Sequence, residues 1–244
     1  MLMSHQCLTS RVTRSLLILF ALSLPHPPAR TAENWPDALA KMPLTCPVTE
    51  LNKTNCVAAM LGAFQSNQVV KALIFMPGAT DEFYFFNRGR ATLTPGSPTL
   101  LDAVTALTNQ TLIRATFRPP LLLLHTAEDP LEPMGRVAHK GVAQALKQRH
   151  FVPRVIYNDR DWDYLHPILT KTLGVKILPV AATSDSWHFY RHSFAAWDLN
   201  GWEALESISL AGKTIFTVRR TLVFKNPVVV FQGDTRVRGK PDTK

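Results

Sequence analysis

Several common signatures are missing from this chain, and each absence removes a class of function. Cysteine occurs three times in 244 residues and never as C-x-x-C, which leaves thioredoxin-like redox chemistry and a zinc knuckle without support. No apolar stretch after the first 25 positions reaches the 18 residues a spanning helix needs, so no transmembrane helix is expected in the mature chain. Gly 11 and Pro 18 are scattered without a period, which excludes a collagen-like or low-complexity chain. What is present is 46% hydrophobic and 18% charged residues, enough for the core of one ordinary domain or two small ones and incompatible with disorder throughout.

The N-terminal segment reads as a secretory signal. Residues 1–14 carry Arg11 and Arg14 and no acid, residues 15–24 are a ten-residue apolar run, Pro25, Pro27 and Pro28 interrupt any helix, and small residues follow at Ala29 and Ala32. The run is too short to span a bilayer, and nothing polar interrupts it at a 3.6-residue period as in an amphipathic core helix. The expected organisation is a signal over residues 1–32, a single α/β domain over 33–232 and a basic disordered tail over 233–244, in a secreted or periplasmic protein.

Cys7 falls inside the signal, leaving Cys46 and Cys56 as an even pair for an oxidising compartment. A disulfide between them, worth about 2–3 kcal/mol in the chain-entropy model, is the expected state, with two free thiols as the alternative. Cleavage after Ala32 removes Arg11, Arg14 and Arg30 and no acid, lowering the formal charge from +9 to +6. The cations of the tail, Arg236, Arg238, Lys240 and Lys244, are interrupted by Asp234 and Asp242, and no nucleic-acid recognition module accompanies them, so nucleic acid is not an expected partner.

Helix and strand patterns alternate through the middle of the chain. Leu51, Val57, Met60, Leu61 and Phe64 recur at helical spacing before an apolar run over 69–76, and the same order follows at 100–107 with 112–117, at 137–146 with 152–157, and at 164–173 with 175–180. These units predict an α/β fold with a largely parallel or mixed sheet, in which Leu121–Leu124 is a central buried strand. Residues 201–211 predict a helix, and residues 214–231 predict a small C-terminal antiparallel meander, at the edge of the main sheet. A shift of 42 residues superposes Asn67-Gln68 on Asn109-Gln110, and Phe75 and Pro77 on Phe117 and Pro119. That pattern fits either a duplication or shared turn chemistry.

Two stretches carry the densest chemistry. Asp159, Asp161 and Asp163 stand at a strand-to-helix joint, where they are weak candidates for a cation site or serve as helix caps and dipole partners. The twelve-residue calcium loop does not fit, because its glycine and acid positions, counted from Asp159, hold Tyr164 and Thr170. Residues 184–192 place Trp187, His188, Arg191 and His192 together. His188 and His192 are four apart, sharing a face on a helix and also on a strand, but Phe189 replaces the glutamate of H-E-x-x-H. Trp162, Trp187, Trp197 and Trp202 fall within 41 residues, as a satellite core or as a groove that stacks on a sugar, base or peptide aromatic.

Residues 120–133, P-L-L-L-L-H-T-A-E-D-P-L-E-P, resemble the strand and acid turn of α/β-hydrolases, with Ser97, Asp129 and His188 in the order serine, acid, histidine. Ser97 stands in T-P-G-S-P-T instead of G-x-S-x-G and reads as a helix N-cap with Pro98 at the first helical position. Residues 99–111 resemble the helix-to-strand unit of the short N-terminal domains of secretins and TonB-dependent receptors, which dock envelope proteins.

Loops leaving parallel strands at their C-terminal ends converge on one edge, and here four such segments carry acids or histidines. The candidate binding residues on that edge are His125, Asp129, Asp161, His188, His192, Arg191 and Trp187. The leading expectation is an exported envelope or extracellular binding module whose partner is an envelope protein or a small polar ligand. The alternative is a hydrolase, metal-assisted or not, using Asp159, Asp161, Asp163, His166, His188 and His192. No cofactor is identified by the sequence.

Overall fold

Apolarity without alternation marks the two strands at the centre. β2 (Ala72–Phe75) and β5 (Leu121–His125) are buried at every position, as strands covered on both faces must be, and they pair in parallel with Ala72 opposite Leu121. These assignments come from a computed structural model that describes residues 34–45, 48–52, 54–65, 67–76, 90–126, 135–137, 140–150, 154–160, 162–179, 192–220 and 223–233.

The remaining described elements in chain order are α1 (Trp35–Ala40), β1 (Glu50–Leu51), α2 (Cys56–Ala63), β3 (Ala91–Thr92), α3 (Leu100–Gln110), β4 (Arg114–Arg118), β6 (Gly135–Val137), α4 (Lys140–Lys147), β7 (Arg154–Arg160), α5 (Trp162–Leu173), β8 (Lys176–Pro179), β9 (His192–Trp197), α6 (Gly201–Ala211), β10 (Thr214–Arg219) and β11 (Val228–Gly233). The fold is mixed α/β. Its main sheet has five strands in the order β4-β5-β2-β9-β7, in which β2–β5 is the single parallel pair among the described residues. Only Pro119 and Pro120 separate β4 from β5, far too few residues for a crossover, so those strands form an antiparallel hairpin. The sheet is therefore mixed and not largely parallel.

The C-terminal strands do not extend the main sheet. β10 and β11 form the expected antiparallel pair, but each also takes a parallel partner from the middle of the chain, giving a second sheet of order β6-β10-β11-β8. A two-stranded ribbon, β1–β3, completes the set. α6 touches β2 and β9 of the main sheet and β10 of the second one. Its composition suits that position, since Ala204, Leu205, Ile208, Leu210 and Ala211 are buried while Glu203 and Glu206 share the half-buried side. Its buried Ser207 donates to the Glu203 carbonyl at 2.8 Å.

Three local expectations are revised. α3 is capped by Thr99, not by Ser97: Thr99 Oγ1 accepts from the Asp102 N–H while the Asp102 carboxylate accepts from the Thr99 N–H. The helix expected from residue 137 begins at Lys140, because residues 135–137 pair with β10 as a strand. The 42-residue similarity does not describe a structural repeat. β2 runs parallel to β5 whereas β4, its counterpart under the shift, runs antiparallel to it.

Cys56 is buried and has no disulfide partner among the described residues; its Sγ lies 3.8 Å from Met60 Sδ, and burial pushes the thiol up to about 12. Its expected disulfide partner, Cys46, lies outside the described residues.

Candidate functional site

The sheet directions decide which side chains share an edge. β7 and β2 are both antiparallel to β9, so β2, β5 and β7 run the same way, and their C-terminal ends meet the N-terminal ends of β4 and β9 at one edge. His125 and His192 stand there as strand-end residues, with Asp159 in the last positions of β7, beside β9. Asp129, Asp161, Trp187, His188 and Arg191 lie outside the described residues.

At this edge the described histidines face inward. His125 is 4% exposed. Its Nδ1 donates to the Thr126 carbonyl at 2.6 Å, and its Nε2 lies 2.8 Å from Thr116 Oγ1, so both ring nitrogens are engaged. His192 is 1% exposed and opens a strand; its ring packs against Gly212 and its Nδ1 lies 3.4 Å from the Arg160 carbonyl. Asp159 is exposed at φ 53, at an irregularity in the β7–β9 pairing, and its N–H donates to Ser193 Oγ at 3.0 Å. Asp163 sits in the first turn of α5, where a carboxylate complements the helix dipole. Tyr157 packs on Phe194 at 4.8 Å. Burial, with Tyr164 nearby, pushes its phenol up to about 12 and keeps it neutral. Among the described residues no group of three His, Cys, Asp or Glu is arranged to hold a metal ion.

A pocket of about 420 Å³ lies at the opposite end of the same sheet, lined by Asn67, Gln68, Lys71, Trp197 and Asp198. Strand register builds it. Ala72 pairs with Ala196, so Lys71, one residue earlier, faces Trp197, whose N–H donates to the Lys71 carbonyl at 2.9 Å. Across β9 the partner of Trp197 is Arg154. Lys71, Trp197 and Arg154 therefore form one row over three adjacent strands, and residues directly opposed in antiparallel pairs project to the same face.

Electrostatics in this row are lopsided. Lys71 Nζ donates to the Asp198 carbonyl at 3.2 Å and lies 3.9 Å from its carboxylate, which also faces His150 Nδ1 at 2.9 Å. Asp198 adopts φ 48, which turns the chain sharply as it leaves β9. The Arg154 guanidinium sits 5.8 Å from the Trp197 ring centroid and has no carboxylate partner among the described residues. Two full cations against one carboxylate leave a net positive charge beside an indole. The Lys71 and Asp198 side chains are 31% and 51% exposed, so the cleft is open to water.

Trp197 and Trp202 thus divide between the two readings of the cluster. Trp202 packs edge-on to Phe216 at 5.0 Å, with Phe231 beyond it, as part of the core, while Trp197 lines the pocket. Asn67, Gln68, Lys71, Trp197, Asp198 and Arg154 went unnamed as a site in the sequence reading. The available signal was the run Ala195-Ala196-Trp197-Asp198, where a buried strand gives way to a polar turn, but nothing local ties it to Lys71 across 127 positions. No protein-family model, curated protein or solved structure matches the chain. Among the described residues no helix is long and apolar enough to cross a membrane.

Proposed function

We propose that this is an exported binding module that holds a polar ligand against Trp197 at the β2–β9 end of the main sheet. The observation that carries the reading is the pocket itself, where an indole, a carboxamide, an ammonium and a carboxylate converge in a volume suited to one ring of a ligand. Export is supported by the charge and apolar pattern of residues 1–32. It is tested by the N-terminal mass of protein recovered outside the cytoplasm: a mature start near Glu33 supports it, and retention of Met1 contradicts it.

Binding is tested by thermal unfolding against a panel of sugars, sugar acids, amino acids, nucleosides and short peptides, on wild type and on Trp197→Ala. A ligand at about 100 times its Kd adds roughly 2.7 kcal/mol, and at about 2–4 °C per kcal/mol for a domain of this size the midpoint rises by about 5–10 °C. The rise is expected for one ligand class in wild type and is lost in Trp197→Ala. A panel in which no class stabilises the wild type overturns the reading.

A further inference from the structure

The geometry points to a narrower ligand class: we infer that the Lys71–Trp197–Arg154 row binds an acidic saccharide, a chain of sugar rings bearing carboxylates. The inference rests on the binding reading above and deepens it.

Three features converge on that chemistry. The first is the order of groups, cation, indole, cation, on three neighbouring strands. Two inter-strand steps of about 4.8 Å set the backbones of Lys71 and Arg154 roughly 10 Å apart, with the indole between them. A compact monoanion meets only one of these cations, whereas an oligosaccharide with a carboxylate on each ring lays one ring over the indole and offers its neighbours' charges to both sides.

The second feature is charge. The row carries a net positive charge, because Asp198 is shared by Lys71 and His150 while Arg154 has no carboxylate partner among the described residues. A guanidinium beside a stacking plane is suited to a planar carboxylate, which it grips through two parallel N–H groups.

The third feature is the lining. Gln68 and Asp198 bring a carboxamide and a carboxylate to the same cleft, groups that match the donors and acceptors of ring hydroxyls, while Asn67 shapes its wall by holding the turn into β2. An aromatic acid has the ring and the charge but no hydroxyls to use them. The basic balance of the chain, +6 in formal charge once residues 1–32 are removed, favours approach of a polyanion from a distance.

The test is calorimetric titration of the purified protein with trigalacturonate and with its fully methyl-esterified form, which keeps the rings and removes the charge. Wild type is expected to bind the acid about tenfold more tightly than the ester, each exposed charge contact contributing about threefold to fivefold. Raising the salt concentration should weaken the acid and leave the ester unchanged. Lys71→Met and Arg154→Met, which keep apolar stems on exposed side chains, should each lower affinity for the acid about threefold to fivefold without altering the unfolding midpoint. Trp197→Ala should lower affinity for both ligands about tenfold. Equal binding of acid and ester overturns the inference and leaves the binding reading standing, as does failure of both when another panel ligand stabilises the protein. Failure of every panel ligand overturns both.

Discussion

Replacing Gly212 by alanine sets two effects against each other, and their balance depends on one buried contact. Gly212 closes α6 at φ −106, ψ 6, a conformation open to any residue. On backbone grounds alone alanine there would stabilise by about 0.4–1 kcal/mol, by narrowing the unfolded ensemble. A Cβ at this position, however, would overlap His192 Nε2 and crowd both adjacent ring carbons. The ring has little room to yield, being 1% exposed and held with Nδ1 toward the Arg160 carbonyl. Forcing a methyl into such packing costs about 1–3 kcal/mol, which outweighs the entropic gain. At about 2–4 °C per kcal/mol, Gly212→Ala should lower the midpoint of thermal unfolding by several degrees. Chemical denaturation of the single and double variants isolates the contact, because His192→Ala removes the obstacle. In that background Gly212→Ala should cost nothing or stabilise, for a coupling of about 1–3 kcal/mol. An unchanged midpoint in Gly212→Ala, or a cost that persists when His192 is alanine, would refute the packing described.

Cys56, with its thiol pushed up to about 12, should resist a thiol reagent at pH 8 in the native protein and react once unfolded without reductant; fast native labelling would contradict its burial, and a denatured chain that labels only after reduction would reveal a bridge. Asn200 caps α6 by accepting from the N–H groups of Trp202 and Glu203, so Asn200→Ala should cost about 1 kcal/mol in denaturant unfolding, and no loss would show the cap to be idle. Burial raises the Glu206 carboxyl despite the guanidinium of Arg118 at 2.5 Å. A raised carboxyl contributes stability that is fully present below its unfolded value near 4.5 and is lost as pH rises through the folded value. Glu206→Gln should therefore match or exceed wild type in stability at pH 7 and lose that advantage below about pH 4.5, whereas Arg118→Ala should destabilise by about 1–3 kcal/mol at pH 7; the opposite order of the two variants would exclude burial as the dominant influence.

The parts of the fold that were legible are those where one segment carries its own physical signature. The unbroken apolar run at Leu121–Leu124 is satisfied inside a sheet, and residues 201–211 carry an amphipathic helical pattern, so both elements lie where the pattern places them. Strand direction is a different matter, since it depends on partners. The pair Pro119-Pro120, between two strand patterns, was in fact a hairpin signal, and a parallel reading of that joint demanded a crossover the chain had no residues for. The three-residue β6 and four-residue β8 belong to a second sheet because of partners some 50 to 80 positions away, which no local pattern encodes.

The pocket at the Trp197 end was not legible in the sequence for a related reason. Histidines and aspartates drew attention to the edge at His125 and His192, yet a polar residue at the end of a buried strand is satisfied locally, by Thr116 and Thr126 in one case and near the Arg160 carbonyl in the other. The pocket at the other end is assembled from residues ordinary in isolation. A lysine before a strand, a tryptophan at the end of another and an arginine at the start of a third become a row only through register.

Backbone amide shifts in an NMR titration of the isotopically labelled protein with trigalacturonate test the location and the chemistry of binding together. Perturbations concentrated at Asn67–Lys71, Arg154 and Trp197–Asp198, and absent in Trp197→Ala, are expected. Shifts confined to His125–Thr126, Asn158–Arg160 and His192 at the opposite edge, or no shifts at millimolar ligand, would contradict a binding site on the Lys71–Trp197–Arg154 row.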